Sequence, residues 1–417
     1  MGRYGLASKT FLIGWRQVAA CFVMVSSMSM ITASYGVIAV PLMQEFSPSR
    51  MVLMLAITVL SAVTAVLAPV LGTLMDRFAL RGLMLTGSVL LAVGYAALSF
   101  VTSFTQVLVI FGAVLAPVNV LIGPVAATVL LSRWFSKRRG TAIGIALAGT
   151  AMGGIAFPPL IQFLLDGYEW REALRIFSIV MLVLVVPAAL LVVNSPEDRW
   201  LNPDGAETDP ERAEGKPKPA GASVATILAD PVFWIIGLLF AVTLAGMKGV
   251  VTNIAPLAID EGIAASAAAL LISLYSGSSF VAKLSFAAFS DLVKLRVLAL
   301  IAFAGFAAGM FVLSQASLGF PVIAAGTALA GFFGGMMVPL KSLLAPRIFG
   351  VGAVGRAMGL LSTVTLCASL TTPPLFGLMF DLTGSYSTIC LIFAGLTAAA
   401  LLAIPFVRME PRAAVAG

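Results

Sequence analysis

The sequence predicts an all-α integral membrane fold: twelve transmembrane helices in two six-helix, pseudo-symmetric halves. Three observations carry that expectation. They are an extreme apolar composition, apolar runs of spanning length at regular intervals, and an internal repeat at one fixed offset. Of the 417 residues 60% are hydrophobic and 10% are charged, and the mean hydropathy is +1.07. A soluble domain carries about 25% charged residues. A chain this apolar has too little polar surface to face water and falls in the membrane class before any motif is read.

A spanning helix needs about 20 apolar residues. Runs separated by short charged or turn-like breaks fall near 17–43, 51–75, 82–102, 105–132, 140–165 and 172–193, and again near 232–258, 266–290, 295–314, 319–345, 355–380 and 386–407. In hydrocarbon the backbone must satisfy its own hydrogen bonds, so each run is expected to be a helix. The first run follows Arg3, Lys9 and Arg16. It is too long for a signal-peptide core and ends without a small-residue cleavage pattern, so it reads as a retained span. Cys21, Cys367 and Cys390 all lie in apolar runs and read as small hydrophobes within helices, not as a disulfide framework.

The expected organisation is an N-terminal six-helix bundle over 1–193, a cytoplasmic linker over 194–230 and a C-terminal six-helix bundle over 231–417. The linker is the one long hydrophilic stretch. It opens with Asn194-Ser195-Pro196-Glu197-Asp198-Arg199 and runs through Pro203, Asp204, Glu207, Asp209, Glu211, Glu214 and Lys216-Pro217-Lys218-Pro219. That composition suits a flexible, largely solvated connection.

The short loops set the orientation. With both termini cytoplasmic, the inside loops carry Arg77, Arg81, Arg133, Lys137, Arg138, Arg139, Lys294, Arg296, Arg347 and Arg356, and the outside loops only Arg50, Arg171 and Arg175. That asymmetry matches the positive-inside rule. The expected location is the cell membrane, inner or plasma, with the lipid bilayer as partner. The net charge of +7 is not patterned for nucleic acid, since no basic face interleaved with aromatics lies outside the apolar segments.

An offset of 215 superposes the halves. It takes Asp76 to Asp291, Arg81 to Arg296, Pro41 to Pro256, Pro124 to Pro339, Gly140, Ala142 and Gly144 to Gly355, Ala357 and Gly359, Pro158-Pro159 to Pro373-Pro374, and Asp166 to Asp381. One shift covers loop acids, basic residues and helix prolines together. This is the parallel repeat of secondary transporters.

After the second span the chain reads G-T-L-M-D-R-F-A-L-R from Gly72 to Arg81, and its repeat copy over 287–296 reads A-A-F-S-D-L-V-K-L-R. Glycine lets helices approach closely, and an Asp at a helix end can meet a basic residue or a neighbouring helix N-terminus. The pair resembles the signature loop of the major facilitator superfamily. The resemblance implies a gating group of Asp76, Arg77, Arg81 and Arg139 with Asp291 and Arg296. Residues 134–154, WFSKRRGTAIGIALAGTAMGG, then resemble the start of the fifth helix in monocarboxylate transporters and their bacterial relatives, the oxalate/formate antiporter group included. The small residues Gly140, Gly144, Gly149, Gly153 and Gly154 suit a helix that packs tightly and slides. Ser34-Tyr35-Gly36 before Pro41-Leu42 adds to the match. In the eighth span the family places an Asp and, four residues on, an Arg that meets the substrate carboxylate. Aligned on Asp291, those places hold Ser279 and Lys283, so the cation survives as lysine without the bidentate fork and the acid is gone. The helix 1 lysine of animal members has no counterpart; Tyr35-Gly36 stand there.

Three lysines fall inside expected spans: Lys248, Lys283 and Lys341. A charge at a helix centre costs at least about 2.5–3.5 kcal/mol on insertion scales, so such residues are rare and usually functional. Their partners at the same offset are Ala33, Ala68 and Ala126, which puts the intramembrane positive charge in the C-terminal half alone. An asymmetric anion site follows, with the C half holding the anionic group. Lys341, six residues before Arg347, has the alternative of snorkelling to the interface. Tyr275, Ser279 and Lys283 at i, i+4, i+8 give one polar stripe, and Thr252 lies a turn from Lys248. Asn119 and Asn253 are candidate donors, with helix–helix glue an equal alternative. The expected substrate contacts are therefore Lys283, Lys248, Ser279, Tyr275, Asn119, Tyr35 and Lys341.

No Asp or Glu lies deep in a span and the chain has no histidine. Proton coupling must then use the substrate carboxylate, a lysine, or an acid at a helix end such as Glu45, Asp76 or Asp291; exchange of one anion for another needs no proton carrier. The resemblance implies alternating-access transport of small organic anions of the lactate or pyruvate type. An oxalate/formate exchanger and a facilitator carrier of another small solute are the alternatives. A membrane enzyme or receptor is disfavoured: without histidine there are no His-based metal sites or triads, no P-loop or dinucleotide fingerprint occurs, and no cofactor is expected.

Overall fold

The computed structural model describes residues 2–48, 50–199, 201–205 and 222–406. The stretch 206–221, with Glu207 to Pro219 of the expected linker, lies outside the described residues, as does 407–417. The described chain is helical throughout, without β-strands.

The first span is α1 (Gly2–Ala33) and α2 (Tyr35–Phe46), bent at Ser34; the second and third are α3 (Arg50–Arg77) and α4 (Leu80–Leu98). The fourth is composite: α5 (Phe104–Val109), a π-helical stretch Ile110–Leu115, α6 (Ala116–Leu121) and α7 (Pro124–Trp134). The fifth and sixth are α8 (Arg139–Gly167) and α9 (Trp170–Leu190). The short α10 (Val224–Ala229) precedes α11 (Pro231–Asp260), α12 (Ala265–Phe289), α13 (Leu295–Leu313), α14 (Phe320–Phe349), α15 (Val354–Thr383) and α16 (Ser387–Ala403). Eleven of these segments are long and apolar enough to cross a membrane, and α16 is a twelfth, shorter apolar helix of 17 residues.

The chain divides into two compact units. One is Met1–Ala222 with Phe349–Leu360, the other Ser223–Ile348 with Leu361–Gly417. The start of α15 therefore belongs to the first unit and the rest of it to the second.

In the first unit α1 lies along α8, and their closest approach is backbone on backbone. A Cβ at Gly153 would overlap the Ser26 carbonyl oxygen, and one at Gly149 would press on the Phe22 carbonyl at 2.5 Å. Lipid tails give helices no hydrophobic reason to associate, so close packing at small residues supplies the attraction. The pair α4 and α9 is filled instead by aromatics, Tyr95 meeting Phe177 edge-on at 5.2 Å. At the C-terminal end of α2, Glu45 takes two bonds from Arg171 (2.9 and 2.6 Å) and one from Trp170 Nε1 (2.6 Å), which ties the first span to the start of α9.

The fourth span breaks where its sequence cannot continue the helical ladder. Pro117 has no N–H to give, and the π turn lies immediately before it. Gly123, extended and followed by Pro124, ends α6 and lets α7 start afresh. The repeat copy α14 runs unbroken through Pro339, because Phe332 and Val338 stand where the N half has Pro117 and Gly123.

In the second unit α11 packs on α12 and α13 on α16. Phe240 meets Phe303 at 5.6 Å, and Gly309 lets α13 approach the backbone of α14 at Ala330. Gly331 and Gly335 of α14 lie against α12 in the same way, at Tyr275 and Ser279.

Gly153→Ala should destabilise the first unit by about 1–3 kcal/mol through overpacking, read as a lower melting midpoint of the purified protein. Gly36→Ala, with nothing within 4 Å of the added Cβ, is the control and should hold the wild-type midpoint or exceed it. Equal midpoints for the two variants would contradict the backbone contact.

Candidate functional site

Asp76 ends α3 with its side chain 1% exposed. Its Oδ1 accepts from the Gly355 amide (2.8 Å), and its Oδ2 from the Arg356 amide and from Arg356 Nε (both 3.0 Å). The first amides of a helix have no intrahelical partner and form the positive end of its dipole. One carboxylate thus caps α15 and forms an ion pair with a residue of its first turn. The approach is possible because both backbones are bare: a Cβ on Gly72 would overlap the Gly355 carbonyl, and one on Gly359 the Ala68 carbonyl.

The other members of the expected gating group are placed by their own units. Arg77 is exposed; Arg81 is exposed and uses its backbone amide on Asn194 Oδ1 (2.8 Å). Arg139 donates Nε to the Phe135 carbonyl (2.9 Å) and Nη2 to the Ser132 carbonyl (3.1 Å), finishing the end of α7. Arg133 does the same for α3, reaching the Met75 carbonyl at 2.7 Å. In the second unit Asp291 follows α12 half-buried and Arg296 is exposed. Arg356, the partner Asp76 uses, carried its own signal as a basic residue next to a glycine at the start of a span.

The intramembrane cations lie in the second unit. Lys283 is 7% exposed and Lys341 6%. Lys341 turns inward, not to an interface: its Nζ lies 3.5 Å from Thr365 Oγ1, and it has no carboxylate partner among the described residues. Thr365 gives its hydroxyl hydrogen to the Ser362 carbonyl (3.1 Å), which leaves its oxygen as the acceptor facing the ammonium. Thr365 is the residue that reading the sequence missed. At the repeat offset it matches Thr150 of the fifth-span motif.

Tyr275 and Ser279 are buried on the face of α12 that meets α14, where Gly331 touches the Tyr275 backbone and Gly335 the Ser279 backbone. Four residues on in both helices, Lys283 falls level with Pro339 and within two residues of Lys341, about 3 Å along the axis. The two buried ammonium-bearing residues therefore share one depth on neighbouring helices. The Tyr275 hydroxyl has no hydrogen-bond partner among the described residues. Lys248 on α11 is half-buried, and among the described residues its ammonium has no hydrogen bond or ion pair.

The remaining expected contacts are occupied within their own units. The Tyr35 hydroxyl donates to the Leu53 carbonyl, and its ring meets Phe111 edge-on at 5.2 Å. Asn119 Nδ2 lies 3.5 Å from Thr64 Oγ1, the helix–helix reading of that residue. Asn253 donates to the Gly249 carbonyl and to Thr252 Oγ1, both at 2.9 Å, on its own helix. No cluster of three or more metal-ligating side chains occurs among the described residues.

Comparison with known proteins bears on this arrangement. A family model described as Major Facilitator Superfamily matches residues 20–259 and 238–416. The chain is 28% identical over 379 residues to monocarboxylate transporter 13 of Bos taurus, covering 90% of this chain and 84% of that one. It is 28% identical over 392 residues to monocarboxylate transporter 11 of Homo sapiens, covering 92% and 80%. Among solved structures the proton:xylose symporter XylE superposes with a TM-score of 0.74 at 14% identity, covering 96% of each chain. The E. coli fucose:proton symporter FucP gives 0.71 at 16% identity, covering 96% of this chain and 99% of that one. At these identities the two structures speak to the fold alone.

A buried ammonium with one neutral acceptor is held at a cost to the fold. Lys341→Met, similar in length and apolar, should therefore raise the melting midpoint, by an amount on the order of 1 kcal/mol or more. A lowered midpoint would show that the ammonium holds the second unit together.

Proposed function

Because the chain belongs to the Major Facilitator Superfamily, we propose that it is a secondary active transporter of small organic anions, of the monocarboxylate type, working by alternating access in the cell membrane with both termini cytoplasmic. The observation that carries the reading is the pair of buried lysines, Lys283 and Lys341, in a unit with no acid deep in its spans. A desolvated ammonium attracts a carboxylate far more strongly than one in water does, because the field between them is weakly screened. The relatives named as monocarboxylate transporters support the same solute class.

In this reading Lys283 takes the carboxylate, and Lys341, held by Thr365, and Lys248 add positive potential. Ser279 and Tyr275 supply hydroxyls beside Lys283. Tyr35 and Asn119 act through the packing of the first unit. Two lysines at one depth also favour a dianion, which keeps exchange of the oxalate/formate kind as a second reading. Proton symport is the other coupling mode; with Glu45 engaged by Arg171 and Trp170 and Asp76 by the start of α15, it is left to the solute carboxylate, a lysine or Asp291.

Asp76 is the latch. It binds the first turn of α15, the helix whose remainder belongs to the second unit. For that turn to leave α3, two backbone bonds and one ion pair must break. Hydrogen bonds to a charged group are worth about 1.5–3 kcal/mol each, so the three together are enough to bias a two-state equilibrium strongly towards the closed contact.

Uptake of a labelled monocarboxylate panel into proteoliposomes, with and without an imposed pH gradient, tests the solute and the coupling together. Lys283→Gln should abolish that uptake, a loss of at least about tenfold, while the protein still inserts; uptake at the wild-type rate would remove Lys283 from the site. Asp76→Asn should slow turnover by about tenfold and leave equilibrium binding of the solute unaltered. Weakened binding at normal turnover would place Asp76 with the solute.

A further inference from the structure

Beyond α9 the chain does not leave the first unit. It crosses the helix ends on the face that carries Arg133 and Lys137–Arg139. The Leu191 carbonyl accepts from Gln17 Nε2 (3.3 Å), and the Val193 amide donates to Gln17 Oε1 (3.0 Å); Gln17 is fully buried on α1. The Val193 carbonyl accepts from Trp134 Nε1 at the end of α7 (2.9 Å), and Asn194 Oδ1 accepts from the Arg81 amide at the start of α4 (2.8 Å). Pro196 and Leu201 are buried beneath the segment.

The crossing ends at Asp204. Its Oδ2 accepts from the Ser136 and Lys137 amides (3.1 and 2.8 Å) and its Oδ1 from the Arg138 amide (3.3 Å). These amides lie just ahead of α8, whose N-cap residue Arg138 makes no side-chain cap bond. The local sequence Ser136-Lys137-Arg138-Arg139 brings no acid to the positive end of the helix, and a carboxylate 66 residues on from Arg138 binds there. Asp204 itself sits at φ 64°, ψ 11°, a left-handed conformation that Asp tolerates better than most residues.

We propose that residues 191–199 and 201–205 form a clasp that fixes the axial register of the α1–α8 pair, with Asp204 as its positioning residue, so that the first unit moves as one body during transport. The clasp grips α1 through Gln17 and the start of α8 through Asp204. Those are the two helices in backbone contact at Gly149 and Gly153, where a shift of either brings carbonyls and helix surfaces into collision. A slide of one residue, about 1.5 Å, takes the 2.8 Å bond to Lys137 beyond hydrogen-bonding reach. The fifth-span glycines then serve close packing, and the sliding expected of them is blocked. None of these bonds involves the expected solute contacts, so the inference needs the family alone and not the identity of the solute.

Amide hydrogen exchange on the purified full-length protein tests it. Asp204→Gly keeps the left-handed backbone and removes the carboxylate; Asp204→Asn keeps the backbone and one acceptor oxygen. In Asp204→Gly, exchange should quicken by at least about tenfold at Ser136–Arg138 and also along the α1–α8 contact, residues 22–29 and 149–153, with Asp204→Asn between it and wild type. Faster exchange confined to 136–138 would reduce Asp204 to a local cap and overturn the clasp, as would unchanged exchange. In proteoliposomes labelled lactate is the probe, and Asp204→Gly should lose turnover at least about threefold with KM unchanged and with recovery in Asp204→Asn. Wild-type turnover in Asp204→Gly would also overturn the proposal. A wild-type protein that carries no monocarboxylate counts against the solute assignment and leaves the exchange result standing.

Discussion

Backbone contact at glycine is the interaction on which the rest of this structure depends. Hydrocarbon offers helices no solvent-driven reason to associate, so they are held by how closely their main chains approach. Gly149 and Gly153 seat α8 on α1, Gly331 and Gly335 seat α14 on α12, and Gly72, Gly355 and Gly359 bring α3 to the start of α15. Each contact also sets the place of a polar group. The α12–α14 contact puts Lys283 and Lys341 at one depth, and the α3–α15 contact puts the Asp76 carboxylate within 2.8–3.0 Å of two amides and a guanidinium.

Two carboxylates solve the same problem at two helix starts. Both α8 and α15 receive at their starts an aspartate from elsewhere in the chain, Asp204 and Asp76. The chemistry is shared and the setting is not. Asp204 bonds to three successive amides, all within the first unit. Asp76 holds a helix that passes from one compact unit into the other. In the proposed reading the same kind of bond is a fastener in one place and a releasable latch in the other.

Much of this was legible in the sequence. The apolar runs gave the helices because uninterrupted apolar stretches of that length satisfy their backbone in hydrocarbon only as helices, and the single offset of 215 gave the duplication. An aspartate at a helix end, flanked by glycine, was readable as a group that meets a helix N-terminus, and Asp76 does. Other features were not legible, for physical reasons. An intramembrane Tyr or Asn looks the same in sequence whether it faces a solute or a carbonyl of the next helix, and Tyr35 and Asn119 proved to be bonded within the first unit. Thr365 is an ordinary helix threonine until Lys341 lies beside it. The polar composition of 194–205 suggested solvation, yet the side chains of Asn194 and Asp204 are partnered by two helix starts, those of α4 and α8, because a hydrophilic stretch is also what the free amides of a helix N-terminus can bind.

The duplicated fourth and tenth spans share a proline, Pro124 and Pro339, but differ in stiffness. In the N half Pro117 and Gly123 interrupt the ladder, leaving a wide turn and a joint near mid-length. In the C half the helix runs through as one rod of 30 residues. The buried charge of Lys341 rides on the rod. The ammonium is thus carried on a continuous helix, whereas the copy in the N half is divided by the π turn and by Gly123. Gene duplication has thus left one arm of the machine as a ruler and the other as an elbow.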